Sequence, residues 1–204
     1  MHLDFNDMTG TERYFLLTQS VLPRPIAWVM TEQQGGSMNL APYSFFAPVC
    51  SDPATLVVSM GHKPGGEEKD SYANLKRTGH CVVHIPAVAN IDAVNQSSVT
   101  WPADVSEVEE LGLSLSPFTE GGLPRLSDAE IAFACEFQQE VTLGPGQQHI
   151  VFLTVNHMYV ADACVEQDAK GRQKINPEVV NPLARLGATE YAALGELLSR
   201  ARPK

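Results

Sequence analysis

Two long runs, Ile131–Leu143 and His149–Ala161, stand on either side of Gly144-Pro145-Gly146. Each alternates between apolar and polar residues over part of its length, the period of a strand with one buried face. Gly-Pro-Gly between such runs is a turn, so the pair predicts one long antiparallel hairpin. The remaining strands of the fold have to be arranged around it.

Those strands are concentrated between Arg24 and Pro86. Ile26–Thr31, Tyr43–Phe46, Ala54–Met60 and Cys81–Ile85 read as β-type runs, and Gln33-Gln34-Gly35-Gly36 is a hairpin signal after the first. Pro23 and Pro25 hold Arg24 extended. Pro42 and Pro48 fit edge strands or bulges better than a central ladder. Helical signals are few. Lys69–Thr78 is stopped by Gly79 at C′, and shorter pieces are expected over Thr11–Thr18, Ala87–Ser97 and Asp104–Leu111. A C-terminal helix over Thr189–Ala201 starts at a Thr N-cap. Residues 99–128 are otherwise irregular. About six strands with few, short helices predict a mainly β fold, a closed antiparallel barrel with peripheral helices. A single domain spanning residues 1–204 is expected. No G-x-G-x-x-G follows a strand and no G-x-x-x-x-G-K-[ST] occurs, so a Rossmann or P-loop reading has no support.

Composition narrows the function. Fourteen basic against 24 acidic residues give a net charge of −10, which argues against nucleic-acid or anionic-membrane partners. No apolar run reaches about 18 residues, so no transmembrane helix is expected. The start of the chain is acidic and polar where a signal peptide is basic and then apolar, and a cytoplasmic location is the default. Cys50, Cys81, Cys135 and Cys164 are widely spaced, without a Cys-x-x-Cys. Cys81 and Cys135 lie in apolar strand-like runs and read as buried, reduced core thiols.

Two polar patches interrupt the strand pattern: Asn39–Ser44, and Ser59 through Ser71. A pure core strand has no use for them. They fit backbone and hydroxyl groups held ready for a ligand, and the glycines at 61, 65 and 66 let backbone approach it closely. Plainer readings stand beside this one. Asn39–Ser44 also reads as an irregular edge strand, Lys69–Ser71 as a capped helix with a solvated lysine, and His149 as a structural residue opening a strand.

Taken together, Arg24-Pro-Ile-Ala, Asn39-Leu-Ala-Pro-Tyr-Ser-Phe-Phe, Asp52-Pro-Ala-Thr-Leu-Val-Val-Ser-Met-Gly, Lys69-Asp-Ser-Tyr-Ala-Asn-Leu and Arg185-Leu-Gly resemble the flavin reductase-like family. The flavoredoxin-type FMN-binding proteins are the nearest branch. The motifs run in the family's order over most of the chain. The resemblance implies an FMN-binding split β-barrel of Greek-key type and a homodimer with flavin near the subunit interface. It also implies FMN as cofactor and NADH or NADPH as electron donor. Backbone of Asn39, Ala41, Pro42, Tyr43 and Ser44 is implied at the flavin ring. Ser59, Lys69 and Ser71, with amides of the following helix, are implied at the phosphate. Met60, Gly61, Arg24, His84 and Arg185 complete the cofactor set, and His149 is the candidate catalytic residue. Two departures are visible: Ser71 stands where threonine is common, and the loop before Lys69 is acidic at Glu67-Glu68. Flavin reduction by NAD(P)H is the favoured reading. The alternatives are a non-catalytic FMN electron carrier serving a redox protein partner, and a flavin-storage module.

Overall fold

In the computed structural model, which describes residues 1–168, 170–201 and 203, seven strands form one antiparallel sheet. They are β1 Ala27–Glu32, β2 Met38–Tyr43, β3 Phe46–Ser51, β4 Ala54–Met60, β5 His80–Ile85, β6 Ile131–Leu143 and β7 Gln148–Val160. Their spatial order is β2-β1-β5-β6-β7-β4-β3. The hairpin β6–β7 is the spine of this sheet, as the sequence predicts.

The edge strands β2 and β3 follow one another in the chain, separated by Ser44-Phe45. With only two residues between them, the two edges of the sheet are drawn together into a barrel, and the Ser59 amide of β4 donates to the Phe45 carbonyl in that link at 2.9 Å. Pro42 and Pro48 lie on these edges, where a missing donor breaks no interior ladder. The open side of β2 is covered. The Leu40 amide donates to the Glu107 carboxylate at 2.8 Å, and the Ser106 hydroxyl to the Met38 carbonyl at 2.6 Å. A covered edge cannot recruit a foreign strand.

β1 is buried on both faces, which explains its unbroken apolar run. Ala27 and Val29 point into the barrel with Val58, Met60, Leu75, Val83, Val151 and Leu153. Ile26, Trp28 and Met30 point the other way, into a second core with Leu40, Val82, Val94, Leu126 and Leu183. That second core is roofed by the 88–126 stretch. Within it α3, Ile91–Gln96, and α4, Glu107–Glu110, are shorter than the sequence suggests.

Other bounds differ as well. The helix expected over Thr11–Thr18 is α1, Gly10–Ser20, because Thr9 and Glu12 form a capping box one turn earlier. The run Tyr43–Phe46 is no strand of its own; it is the junction between β2 and β3. α2, Asp70–Thr78, has Lys69 as N-cap and Gly79 as a left-handed cap with φ of 78°, as expected. Pro177–Val180 forms α5. The C-terminal helix expected over Thr189–Ala201 is absent. Tyr191–Ala192 instead pairs with Ala184–Arg185, which also pairs with Arg24–Pro25. Residues 193–201 carry no regular structure, and Leu194, Leu197 and Leu198 are exposed. A helix of this length is marginal in water without an apolar surface to pack on.

Cys81 and Cys135 are direct cross-strand neighbours, buried and reduced. Hydrogen bonding with Cys81 and then burial push the Cys135 thiol upward, away from a reactive thiolate. No helix of the described residues is long and apolar enough to cross a membrane.

Candidate functional site

The first turn of α2 is where most of the candidate residues gather. On one side is a narrow cleft lined by Asn39, Ala41, Tyr43, Lys69 and Ser71, all singled out in the sequence. Lys63, Asp70, Glu107 and the Ser97–Trp101 segment close it. Its interior is about 30 Å³, room for a few polar atoms and not for a ring system.

Two lysines, Lys63 and Lys69, and two carboxyls, Asp70 and Glu107, line the cleft. Lys69 is the N-cap residue, without a side-chain cap and without an ion-pair partner among the described residues. The Tyr72 amide bonds the Lys69 carbonyl at 3.0 Å, but the amides of Asp70 and Ser71 ahead of it have no helical acceptor, which favours an anion there. Lys63 donates to Asp70 at 2.6 Å. Burial raises the Glu107 carboxyl toward its neutral form, against the hydrogen bond from Leu40. Asn39 is buried and donates to the Ser71 hydroxyl at 2.8 Å, locking β2 to α2. Two polar atoms in the cleft wall are buried: Trp101 Nε1 has no protein partner, and the Tyr43 hydroxyl lies beside Ser71 without a hydrogen bond of good geometry. Burial holds the Tyr43 phenol protonated, so it can donate.

On the other side of the same turn lies His149, 7% exposed. Its cross-strand neighbour is Met60 of β4. Its ring stacks on Tyr72 of α2 at 3.8 Å between centroids with a 14° tilt, and His62 lies 5.1 Å away. Neither ring nitrogen has a hydrogen-bond partner. Ser59 accepts a 2.8 Å bond from Gln148. At Gly61 an added Cβ would sit 3.0 Å from Gln148 Oε1, so this glycine keeps the backbone tight against β7.

Three candidates lie apart from this turn. Arg24 spans the end of α1 and the late ladder: it donates to the carbonyls of Thr18, of Val21 at 3.0 Å and of Leu186 at 2.8 Å. It also reaches the Ser44 hydroxyl at 3.4 Å. With Leu17, Phe45 and Phe46, these two residues line a mostly apolar hollow of about 290 Å³. Arg185 holds the carbonyls of Ala188 and Glu190 and lies over the Tyr191 ring. His84 is fully buried in the second core. Its Nδ1 donates to the Trp28 carbonyl at 3.1 Å and its Nε2 accepts the Leu126 amide at 3.0 Å. With both nitrogens engaged, the ring has no atom left for a ligand. Burial, partly offset by the Trp28 carbonyl, lowers its pKa to about 4.

Tyr72, Lys63, Gln148 and Glu140 escaped the sequence reading. Tyr72 carried a signal, since Asp70-Ser71-Tyr72 belongs to one quoted motif. Glu140 carried none, because a strand bulge decides which way it points. A larger cavity, about 590 Å³, opens between His80, Glu136, His157 and the Phe118–Leu123 loop, and contains none of the sequence candidates.

The arrangement fits FMN. Lys69, Ser71 and the α2 amides suit a phosphate, the unpartnered Tyr43 and Trp101 groups await polar atoms, and the narrow cleft leaves any ring outside it. Comparison with protein families matches the flavin reductase like domain over residues 19–174. A protein of Halalkalibacterium halodurans without known function is 35% identical over all of this chain and 97% of its own. Among solved structures, nitrilotriacetate monooxygenase component B of Bacillus cereus superposes with a TM-score of 0.89, at 31% identity over 98% of both chains. The 2-nitrobenzoate 2-nitroreductase of Pseudomonas fluorescens gives 0.87 at 27% identity, over 100% of this chain and 96% of its own. The flavoredoxin of Desulfovibrio vulgaris, at 0.75 and 17% identity, shares the fold.

Proposed function

We propose that this chain, which belongs to the flavin reductase-like family, holds FMN across the first turn of α2 and is reduced there by NADH or NADPH. The observation that carries the reading is the convergence of unpartnered buried polar groups on one turn: Tyr43 and Trp101 on one side, His149 on the other. When bound, FMN supplies the redox chemistry, accepting a hydride and passing electrons onward. The chain positions it. Lys69, the Ser71 hydroxyl and the α2 amides hold the phosphate; the ring lies outside the narrow cleft, where the backbone of Asn39–Ser44 meets its polar edge. His149 presents a nitrogen to the ring or to the nicotinamide. The whole chain works as one such domain.

The exposed apolar residues of α1, Tyr14, Phe15 and Leu17, lie with Val21 and Phe45 on the surface and support a symmetric homodimer. The charge of −10 supports a second reading, an FMN electron carrier steered to a basic protein partner. Steady-state NAD(P)H oxidation by the FMN-loaded protein separates the two. Reduction only through a partner reductase favours the carrier.

Lys69 provides the test of the cofactor itself. The FMN phosphate carries roughly two negative charges. A protein of charge −10 cannot gather it by long-range attraction, which salt screens beyond about 8 Å. The affinity has to be local. A charge-assisted hydrogen bond contributes roughly 1.5–3 kcal/mol, so Lys69→Ala weakens FMN binding by roughly 10- to 150-fold. Riboflavin, lacking the phosphate, binds weakly to both proteins and loses little on substitution. Fluorescence titrations of both flavins against both proteins check this. Equal weakening of the two flavins assigns Lys69 to the fold or the ring. No binding of FMN by the wild type at micromolar concentration removes the functional reading altogether.

A further inference from the structure

The hairpin β6–β7 places a carboxylate beside the candidate catalytic histidine. Glu140 pairs with Val151 across the ladder and is therefore the diagonal neighbour of His149, on the same face. Its Oε2 lies 3.7 Å from His149 Nδ1. Both of these atoms are buried; Nδ1 has no hydrogen-bond partner, and Oε2 has none of good geometry, although the Tyr72 hydroxyl lies near enough to act on the carboxylate. The other oxygen, Oε1, accepts from Lys76 of α2 at 3.2 Å, and the Lys76 ammonium also lies 4.4 Å above the Phe137 ring. The histidine ring is clamped from the opposite direction by its stack on Tyr72. Burial favours a neutral Glu140, but the Tyr72 hydroxyl and the Lys76 charge beside it outweigh burial and keep the carboxyl below its ordinary range. An ionised carboxylate therefore faces an imidazole whose plane is already fixed.

We infer that Glu140 is a positioning residue: it holds the His149 proton on Nδ1 and so leaves Nε2, itself buried and without a partner, as the accepting nitrogen. The inference rests on the proposed function only for the identity of the group that donates to it. The physical reason is that the hydrogen bond made by one imidazole nitrogen sets the state of the other. Closing 3.7 Å to a hydrogen bond takes a shift of the carboxylate, since the Tyr72 stack fixes the ring, and no competing acceptor stands at Nδ1. Lys76 anchors Glu140 from behind, so the order Lys76–Glu140–His149 runs from α2 back to the mouth of the barrel.

The test uses the flavin-free protein with ¹⁵N-labelled histidine. Ring ¹⁵N shifts and two-bond couplings at mildly alkaline pH report which nitrogen of His149 carries the proton. The wild type is expected as the Nδ1–H tautomer. In Glu140→Leu the tautomer ratio moves toward Nε2–H by at least about tenfold, the loss of one charge-assisted hydrogen bond. Glu140→Gln keeps an accepting oxygen and restores Nδ1–H. Single-turnover reduction of the FMN-loaded protein then slows in Glu140→Leu and recovers in Glu140→Gln. An Nε2–H wild type overturns the inference without any variant, as does an unchanged ratio in folded Glu140→Leu. A moved tautomer with an unchanged reduction rate upholds the role of Glu140 and removes His149 from the proposed reaction, so the two failures are told apart.

Discussion

Trp28→Ala is expected to destabilise the protein by about 3–5 kcal/mol, the usual cost of emptying a buried aromatic site. Trp28 is 2% exposed and stands at the centre of the second core, between the sheet and its 88–126 roof. Its indole N–H donates to the Ser97 hydroxyl at 2.9 Å, and that hydroxyl donates to the Val94 carbonyl at 3.1 Å. The ring therefore does two things. It fills the core, and it ties down the Ser97–Trp101 segment that forms one wall of the cleft. Alanine removes both. Urea unfolding reads the loss as a lower midpoint at constant slope. Trp28→Phe keeps most of the apolar volume and loses only the link to Ser97, at a cost of about 1 kcal/mol. FMN affinity should fall in both variants, because both release the wall. A Trp28→Ala midpoint within error of wild type would mean that the roof is not packed on β1.

Acid should destabilise the protein through His84. Burial is the main cause of its lowered pKa, about 4 when folded against an ordinary value near 6.5. Between these values the unfolded chain binds the proton and the folded one does not. Stability from this residue is thus complete above about pH 6.5 and is lost as pH falls toward about 4. Two and a half pH units at about 1.4 kcal/mol each amount to about 3.5 kcal/mol, of which about 3 fall between pH 6.5 and 4. The geometry gives the reason: a second proton on Nε2 would point at the Leu126 amide, which already donates there. Glu107 acts with the opposite sign. Its carboxyl is raised by burial, so its contribution is present at low pH and declines as pH rises past its ordinary value. Comparing wild type with His84→Gln isolates the histidine. The difference in unfolding free energy should shrink by about 3 kcal/mol from pH 6.5 to 4. Parallel curves would show that His84 is protonated in the folded state.

The family, the barrel and the gathering of Asn39, Tyr43, Lys69 and Ser71 near one helix start were legible in the sequence. Local rules are strong there. Alternation marked β4 and β6 at their observed ends, Gly79 stopped α2, and the prolines of β2 and β3 declared edge positions. The C-terminal residues show where such rules fail. Thr189 and the spaced leucines encode a helix, yet Leu194, Leu197 and Leu198 are left exposed, and propensity alone does not hold a helix in water.

Side-chain direction late in the hairpin lay beyond local rules. Counting from Phe133, Cys135 and Phe137, strict alternation would send residue 139 inward and Glu140 outward. The ladder slips by one residue between Phe152 and Leu153, pairing Leu153 with Phe137 but Val151 with Glu140. A second slip, between Val155 and His157, reverses the phase of β7 in the same way. A bulge adds one unpaired residue and exchanges the two faces beyond it. His84 was decided just as remotely, by a carbonyl 56 residues away and an amide 42 residues away. Most strands, the turns and the family motifs are written locally, because they depend on neighbours within a few residues, although β3 went unmarked. The tertiary structure alone decided that Glu140 meets His149 and that His84 is sealed in the core, because facing and burial depend on register and on partners far along the chain.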